Sequence, residues 1–203
     1  MSITMEECLG GQVNLNDEKS ITGIGPSEFE SAFERFFVEN YPRVATVLVR
    51  LVGDRLRAEE LATEAFWRYY CQPFARDSAG GFGIGSAGWL YRTATHLGID
   101  SLRAETRRGR YEQQAADNAD CSRQPDPLES VLRAEKQRHV RRTLSALRPE
   151  QSQLLLLRAS GFSYDELASV LGVKRTSVGA MLLRAEAAFR KHYVRLFGNK
   201  EDL

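Results

Sequence analysis

The residues best suited to recognition chemistry lie between Ser163 and Ala185. Ser163 precedes Glu166 by three residues, the spacing of a capping box, in which each side chain satisfies a backbone N–H at the start of a helix. Gly172 predicts the end of that helix, because glycine adopts the left-handed backbone conformation at little cost. A second helix is predicted directly after it, so the spacing indicates a helix-turn-helix.

Positive charge is concentrated on the second helix of this motif, where Glu186 stands alone as an acidic residue. The cations are Lys174, Arg175, Arg184, Arg190, Lys191 and Arg195. A basic helix suits phosphate contact, and its N-terminus adds a partial positive charge. Thr176 and Ser177 stand at the start of this helix, where base edges are usually read. The pattern favours DNA binding over a helical hairpin that only packs.

A second candidate surface lies on a predicted helix over 56–70. Its apolar stripe is formed by Ala58, Leu61, Ala62, Ala65, Phe66 and Tyr69. Its other side carries Glu60, Thr63, Glu64 and Trp67. An exposed tryptophan beside carboxylates suits a protein partner with a basic surface, and a plain solvated face is the alternative.

A third candidate surface lies on the next predicted helix, over about 87–108. Its members recur at steps of three and four residues and are Trp89, Arg92, His96, Asp100 and Arg103, extended by Arg107, Arg108 and Arg110. Aromatic and basic side chains together suit a nucleic-acid strand, by stacking and by phosphate pairing. Asp100 is expected to pair with a nearby arginine, because a carboxylate repels phosphate.

These surfaces belong to an all-α protein of two small helical domains joined by a flexible acidic linker. We predict a flexible N-terminal tail over 1–26, a first domain over 27–109, a linker over 110–127 and a second domain over 128–203, which contains the helix-turn-helix. Pro42 is expected to separate two helices in the first domain. A loop rich in glycine and serine is expected over 76–88.

Composition limits the classes of function. The net charge of +1 marks a nucleic-acid binder only if the cations are clustered, as they are here. The three cysteines form no close pair and no cluster with histidine, so we expect no disulfide framework, metal site or cofactor. The chain lacks the usual catalytic motifs, so an enzyme is not expected. It also lacks a secretory signal and an apolar run of about 20 residues, so we expect a cytoplasmic protein without membrane insertion.

Two sets of motifs resemble one family. Residues 147–151, 161–168, 171–173, 177–178 and 184–185 look like the C-terminal domain of bacterial sigma-70 factors of the extracytoplasmic-function (ECF) group. Residues 58–61 and 64–66 resemble the polymerase-binding helix of that family's first domain. Residues 89–92, Ala94, 99–100 and 102–103 resemble its promoter-melting helix. The resemblance covers about 28–193, in the family's order.

The resemblance implies an alternative sigma factor that binds core RNA polymerase and promoter DNA. Binding to the clamp of the largest subunit would fall to Glu59, Glu60, Thr63, Glu64 and Trp67, and the flap region is a further expected contact. Recognition of the minus-ten element would fall to Trp89, Arg92, His96, Arg103, Arg107 and Arg108. Recognition of the minus-thirty-five element would fall to Lys174, Arg175, Thr176, Ser177 and Arg184. The resemblance also implies a possible further partner, an anti-sigma factor that covers both domains.

Four departures from the family pattern leave a second function open. Residues 179–181 read Gly-Ala-Met where polar or basic residues are usual, and Leu183 adds an apolar residue nearby. His96 replaces a common asparagine, and Thr63 replaces a common glutamine. The alternative is a divergent regulator that binds polymerase or another protein while recognising DNA weakly or differently. In that case Met181 and Leu183 would form a protein-contact patch.

Overall fold

The computed structural model describes residues 26–72, 84–116 and 128–198, and the regular structure in these ranges is helical throughout. The helices are α1 (Pro26–Val52), α2 (Arg55–Tyr70), α3 (Ile84–Ala116), α4 (Leu128–Ala146), α5 (Pro149–Ala159), α6 (Tyr164–Leu171) and α7 (Arg175–Phe197). The predicted all-α class is confirmed. The predicted tail, except for Pro26, lies outside the described residues.

Helices α1, α2 and α3 form the N-terminal half around an aromatic core. The six residues predicted as the inward stripe of α2 are the six that the structure buries. Phe36 stacks on Tyr69 with ring centroids 4.9 Å apart, and Phe37 meets the edge of Phe66 at 4.7 Å. Asp54 caps α2 by accepting a hydrogen bond of 2.9 Å from the Arg57 backbone N–H.

The absence of a side chain at Gly98 lets α3 lie very close to α1. A Cβ atom at this position would lie 2.6 Å from Leu51 Cδ2 and 2.9 Å from Leu48 Cδ2. Leu48 and Leu51 are fully buried, so neither methyl group has free space into which to move. Gly98 therefore fixes the separation of the two helices.

Pro42 does not separate two helices, contrary to the sequence prediction. It lies inside the continuous helix α1. Proline removes a hydrogen bond to the carbonyl four residues earlier, here that of Val38, and both Pro42 and Val38 are exposed, so water can replace the bond. Phe36 and Val44 are buried on either side of the interruption, and their packing holds the helix together.

The boundaries predicted for α3 are also wrong. The helix begins at Ile84, inside the predicted glycine-rich loop, and continues to Ala116, inside the predicted linker. Gly88 is buried within this helix and packs closely against α6, since a Cβ there would lie 3.2 Å from the Ser169 carbonyl oxygen. Residues 110–116 lack hydrophobic periodicity but contain arginine, glutamate, glutamine and alanine, which favour helix intrinsically. The rest of the loop and linker, 76–83 and 117–127, lies outside the described residues.

Helices α4 to α7 form the C-terminal half, and its helix-turn-helix has the predicted local structure. The Ser163 backbone N–H donates to Glu166 Oε2 at 2.7 Å, and the Glu166 N–H donates to Ser163 Oγ at 3.2 Å, completing the capping box. Gly172 ends α6 with a φ of 67°, in the left-handed region. Val173 follows and packs against the core. The first helix, the turn and the second helix are therefore confirmed.

The two halves pack against each other and share one hydrophobic core. Tyr91 of α3 meets the edge of Phe162 at a centroid distance of 4.8 Å. The guanidinium of Arg43 lies 3.9 Å from the centroid of the Phe162 ring and forms an ion pair of 2.6 Å with Glu166. Gln153 Nε2 donates to Thr95 Oγ1 at 2.7 Å, and both side chains are buried. We call this interface of α1 and α3 with the C-terminal half the closed contact.

Two glycine substitutions should have opposite effects on the free energy of unfolding. Gly98→Ala should lower it by about 1 to 3 kcal/mol, because the new methyl group overpacks the α1–α3 contact. Gly179→Ala should raise it by up to about 1 kcal/mol, because alanine favours helix. A Cβ at Gly179 meets only Tyr164 Cε2, at 3.9 Å. Urea unfolding of both variants measures the difference, and equal effects would contradict the packing argument.

Acid should weaken the closed contact through Glu166. The hydrogen bond from Arg43 lowers the pKa of Glu166 from its ordinary 4.5 to about 2, with a smaller contribution from the Ser163 cap. A lowered pKa means that the stabilisation is complete above about pH 4.5 and is lost as the pH falls through about 2. Because the carboxylate is partly exposed, it contributes at most about 1 kcal/mol.

The measurement compares unfolding of the wild type and Glu166→Gln between pH 6 and pH 2.5. Glutamine can keep the capping box, so the substitution mainly removes the ion pair. The wild type should be the more stable protein at pH 6, and the difference should shrink at low pH. In an Arg43→Gln background the pH-dependent difference should largely disappear. A difference that grows on acidification would disprove the assignment.

Candidate nucleic-acid and polymerase interfaces

The N-terminus of α7 presents the predicted minus-thirty-five residues to solvent. Lys174 is the N-cap residue, and its side chain makes no capping bond. The residues that follow, Arg175, Thr176 and Ser177, are exposed, as is Arg184 two turns further along. Arg175 Nε pairs with Asp165 Oδ1 at 2.9 Å, but both side chains are largely exposed, so this pair can separate at little cost. The surface offers cations, hydroxyls and a helix N-terminus on one side of the motif.

The departures at 179–183 divide between the interior and the surface. Val178 and Leu182 are buried, Gly179 is half-buried beside Tyr164, and Met181 packs against the core. Leu183 is 69% exposed. In the suggested Met181–Leu183 patch, Leu183 is therefore the more exposed member, because Met181 is partly buried against the core.

Each of the predicted polymerase-binding carboxylates on α2 has an arginine partner on the same helix. The pairs are Glu59 with Arg55 at 2.8 Å, Glu60 with Arg57 at 2.8 Å and Glu64 with Arg68 at 2.6 Å. Pairs at this spacing on a helix surface contribute only about 0.3 to 0.5 kcal/mol each. The face is locally neutralised rather than simply acidic, and its carboxylates can exchange their arginines for a partner's cations.

An open groove of 470 Å³ runs between α2 and α3. Trp67 lines it from α2, and Trp89, His96 and Asp100 line it from α3. Trp67 is 40% exposed and stacks on Tyr70 at 5.8 Å, so its indole is held in place while one side faces solvent. The groove unites an aromatic residue predicted for polymerase with two residues predicted for DNA. The two surfaces are adjacent, which the sequence did not indicate.

Asp100 lies in this groove beside His96, and its predicted pairing with an arginine is not found among the side chains that the structure describes. Thr63 is exposed on α2 and donates from Oγ1 to the Glu59 carbonyl at 2.9 Å. Its short hydroxyl is therefore engaged by its own helix. His96 is exposed and lines the groove.

The cations of the predicted minus-ten face point in two directions. Arg107 and Arg108 are exposed near the end of the described part of α3. Arg92 and Arg103 instead face the C-terminal half. Arg92 donates to the Val170 carbonyl from Nε at 2.9 Å and from Nη2 at 2.5 Å. Arg103 donates from Nη2 to the Leu147 carbonyl at 2.9 Å and from Nε to the Ser145 carbonyl at 3.3 Å.

Sequence reasoning missed the residues of the closed contact. Arg43 and Arg50 lie seven residues apart on α1, and both face the C-terminal half, where Arg50 Nη1 donates to the Ala159 carbonyl at 2.5 Å. The spacing of seven residues, which places both arginines on one face of a helix, was the sequence feature that could have revealed this contact. Thr95 and Gln153 gave none, because an isolated polar residue in a helix is ordinarily exposed.

Two kinds of feature are absent from the ranges that the structure describes. Within them, no helix is long and apolar enough to cross a membrane. In the same part of the chain, no group of three or more histidine, cysteine, aspartate or glutamate residues is arranged to hold a metal ion.

The C-terminal half matches a known protein family. The family model for region 4 of sigma-70 matches residues 137–189. That range includes the capping box, the Gly172 turn and most of α7.

Similarity to sigma factors extends over most of the chain. The RNA polymerase sigma factor CarQ of Myxococcus xanthus is 28% identical over 165 residues, which cover 80% of this chain and 87% of CarQ. The ECF RNA polymerase sigma factor SigE of Mycolicibacterium smegmatis is 27% identical over 189 residues, which cover 89% of this chain and 70% of SigE. The RNA polymerase sigma-H factor of Pseudomonas aeruginosa is 28% identical over 170 residues, which cover 79% of this chain and 85% of that factor.

One solved structure gives a weaker match. It is the sigma factor RpoE of Bartonella quintana in complex with the anti-sigma factor NepR. The TM-score is 0.42 at 16% identity, over 79% of this chain and 95% of that chain. The region 4 match and the long alignments to curated sigma factors agree with the motifs of both halves, and over most of its length the chain is similar to ECF sigma factors of the sigma-70 family.

Proposed function

We propose that this protein is an alternative sigma factor, which binds core RNA polymerase in the cytoplasm and directs it to a set of promoters. The observation that carries the proposal is the helix-turn-helix at 163–185, with exposed cations and hydroxyls at the start of α7. It acts by binding, without a catalytic step or a cofactor of its own. Promoter DNA and polymerase are its partners, and an anti-sigma factor is a further expected one.

In this proposal the domains keep the boundaries predicted from the sequence. Residues 27–109 form sigma domain 2, residues 110–127 form the linker, of which 110–116 continue α3 as helix, and residues 128–203 form sigma domain 4. The α2 face (Glu59, Glu60, Thr63, Glu64 and Trp67) binds the polymerase clamp. Trp67 anchors this contact, because a partly exposed indole held by a stacked neighbour buries a large apolar area at a low entropic cost.

The adjoining groove and the α7 N-terminus bind the promoter. Trp89 and His96 meet a minus-ten strand by stacking and hydrogen bonding, while Arg107 and Arg108 pair with its phosphates. Arg92 and Arg103 join them once they are released from the C-terminal half. Lys174, Arg175, Thr176, Ser177 and Arg184 address the minus-thirty-five element.

A divergent regulator is the second candidate function, and the exposed Leu183 is the observation that favours it. An apolar side chain near the outer face of a recognition helix suits a protein partner better than a phosphate backbone. Run-off transcription with core polymerase and a genomic promoter pool separates the candidates. Tight binding to core polymerase without initiation would favour the regulator.

Arg184→Ala should weaken promoter binding by holoenzyme, because it removes one phosphate contact. The expected loss is about three- to tenfold, with the slope of log K against log salt reduced by about 1. Fluorescence anisotropy with a duplex recovered from the promoter pool measures both quantities. Arg35→Ala, which changes an exposed arginine on α1, is the matched control and should leave them unchanged. An unchanged salt slope for Arg184→Ala would favour protein contact.

Trp67→Ala should weaken binding to core polymerase by about 30-fold or more, the usual effect of truncating an interfacial tryptophan. Competition of labelled and unlabelled protein for core polymerase gives the affinity. Val38→Ala is the matched control, because Val38 is an apolar side chain on α1 that is 66% exposed. Equal affinities for the two variants would remove Trp67 from the polymerase interface.

A further inference from the structure

The groove between α2 and α3 is one end of a longer face of α3. Trp89 and Asp100 both line the groove and lie three turns apart, on the same side of the helix. Arg107 is exposed two turns beyond Asp100 and continues this side, and Arg108 follows it and is exposed as well. The exposed Glu105 lies on nearly the opposite side of the helix from Arg107. The face is therefore aromatic at one end, acidic in the middle and basic at the far end.

The N-terminal segment of the chain, residues 1–25, joins the described structure close to this groove. Phe29 lies in the first turn of α1, and its ring centroid is 5.3 Å from that of Tyr70 at the end of α2. Tyr70 in turn stacks on Trp67 at 5.8 Å, and Trp67 lines the groove. A few extended residues before α1 can therefore reach the aromatic end of the α3 face.

The sequence of this segment carries its apolar and charged residues in the order that the α3 face requires. Ile24 and Ile21 come shortly before α1. Lys19 precedes them, and the acidic pair Asp17 and Glu18 comes before the lysine. Counted away from α1, the order is apolar, basic and acidic. The α3 face, counted away from the groove's aromatic end, is aromatic, acidic and basic, so each part meets a complementary one.

The lengths of the two stretches also agree. The stretch from Asp17 to Pro26 spans about 30 Å when extended, at about 3.3 Å per residue. The stretch of α3 from Trp89 to Arg107 is about 27 Å long, at about 1.5 Å per residue. The acidic pair can therefore reach the arginines while the isoleucines lie over the groove.

Weak contacts suffice for such an arrangement. The groove has a volume of 470 Å³ and lies within the range of about 300 to 1,000 Å³ that is typical of ligand pockets. Because the segment is tethered beside the groove, its effective local concentration is about millimolar. A contact too weak to hold a separate peptide can therefore keep the tethered segment bound.

We propose that residues 17–25 dock along this face of α3 in the free protein, with the two isoleucines in the groove and the acidic pair at Arg107 and Arg108. The docked segment covers Trp67 and Trp89 and withholds the minus-ten surface from DNA until it is displaced. The inhibitory effect rests on the proposed function, whereas the docking itself does not.

The test breaks the apolar contact without changing α2 or α3. The double substitution Ile21→Asp/Ile24→Asp places two carboxylates against the groove. Ile3→Asp/Leu9→Asp makes the same change of charge outside residues 17–25 and is the matched control. The full chain is used throughout. The chain has two tryptophans and both line the groove, so acrylamide quenching of tryptophan fluorescence reports how far the groove is covered.

Ile21→Asp/Ile24→Asp should show stronger quenching and a red-shifted emission, because both indoles become more accessible to solvent. It should also bind a fluorescein-labelled, mixed-sequence single-stranded 20-mer at low salt about three- to tenfold more tightly, because the fraction of binding-competent molecules rises. The gain would occur despite two added negative charges, which should weaken binding in the control. Quenching equal to that of the wild type would overturn the docking.

Asp17→Asn/Glu18→Gln tests the basic end of the face separately. It removes the attraction to the two arginines and should also strengthen quenching, by less than the isoleucine substitutions. Circular dichroism checks that the helix content of every variant equals that of the wild type. Wild-type quenching that strengthens on dilution would overturn docking within one chain, because the segment would then come from a second copy.

The DNA and polymerase measurements separate the remaining outcomes. Stronger quenching of Ile21→Asp/Ile24→Asp with a DNA affinity no higher than that of the control would overturn the inhibitory role and leave the docking standing. Binding of the wild type to core polymerase is titrated in parallel. A wild type that does not bind core polymerase would disprove the proposed function, and the quenching result would still decide the docking.

Discussion

The carboxylate of Glu166 joins the local order of the helix-turn-helix to the packing of the whole molecule. One oxygen accepts from the Ser163 backbone and completes the cap of α6, while the other pairs with Arg43 of α1. A free carboxylate would choose among many rotamers, but the cap already holds this one in place. The ion pair therefore forms with little further loss of entropy. This shared group therefore reinforces the orientation of α6 that Arg92 and the buried core also hold.

Local pattern was sufficient to predict α2 and the helix-turn-helix of α6 and α7. The apolar stripe of α2 follows from three- and four-residue spacing, and the capping box and Gly172 turn follow from side-chain chemistry within ten residues. Such features depend only on neighbours along the chain. The same reasoning placed the cations and hydroxyls at the start of α7, and the structure finds them exposed.

Features that depend on distant residues could not be predicted in this way. Pro42 stays within a helix because buried residues on both sides hold it there. Arg92 and Arg103 have the spacing of a nucleic-acid surface, yet they meet main-chain carbonyls in the other half. Every residue has such a carbonyl, so no side-chain pattern marks the acceptor. The groove shared by Trp67 and Trp89 likewise depends on the packing of α2 beside α3.

The use of main-chain acceptors has an evolutionary consequence. Substitutions in the C-terminal half change side chains but cannot delete the carbonyls of Leu147, Ala159 and Val170, so most of them leave these acceptors in place. The residues that read DNA on α7 are therefore free to diverge toward new promoter sequences without dismantling the contact with the N-terminal half. Selection on the strength of that contact would act mainly through the arginines, whose loss cannot be compensated by the backbone they bind.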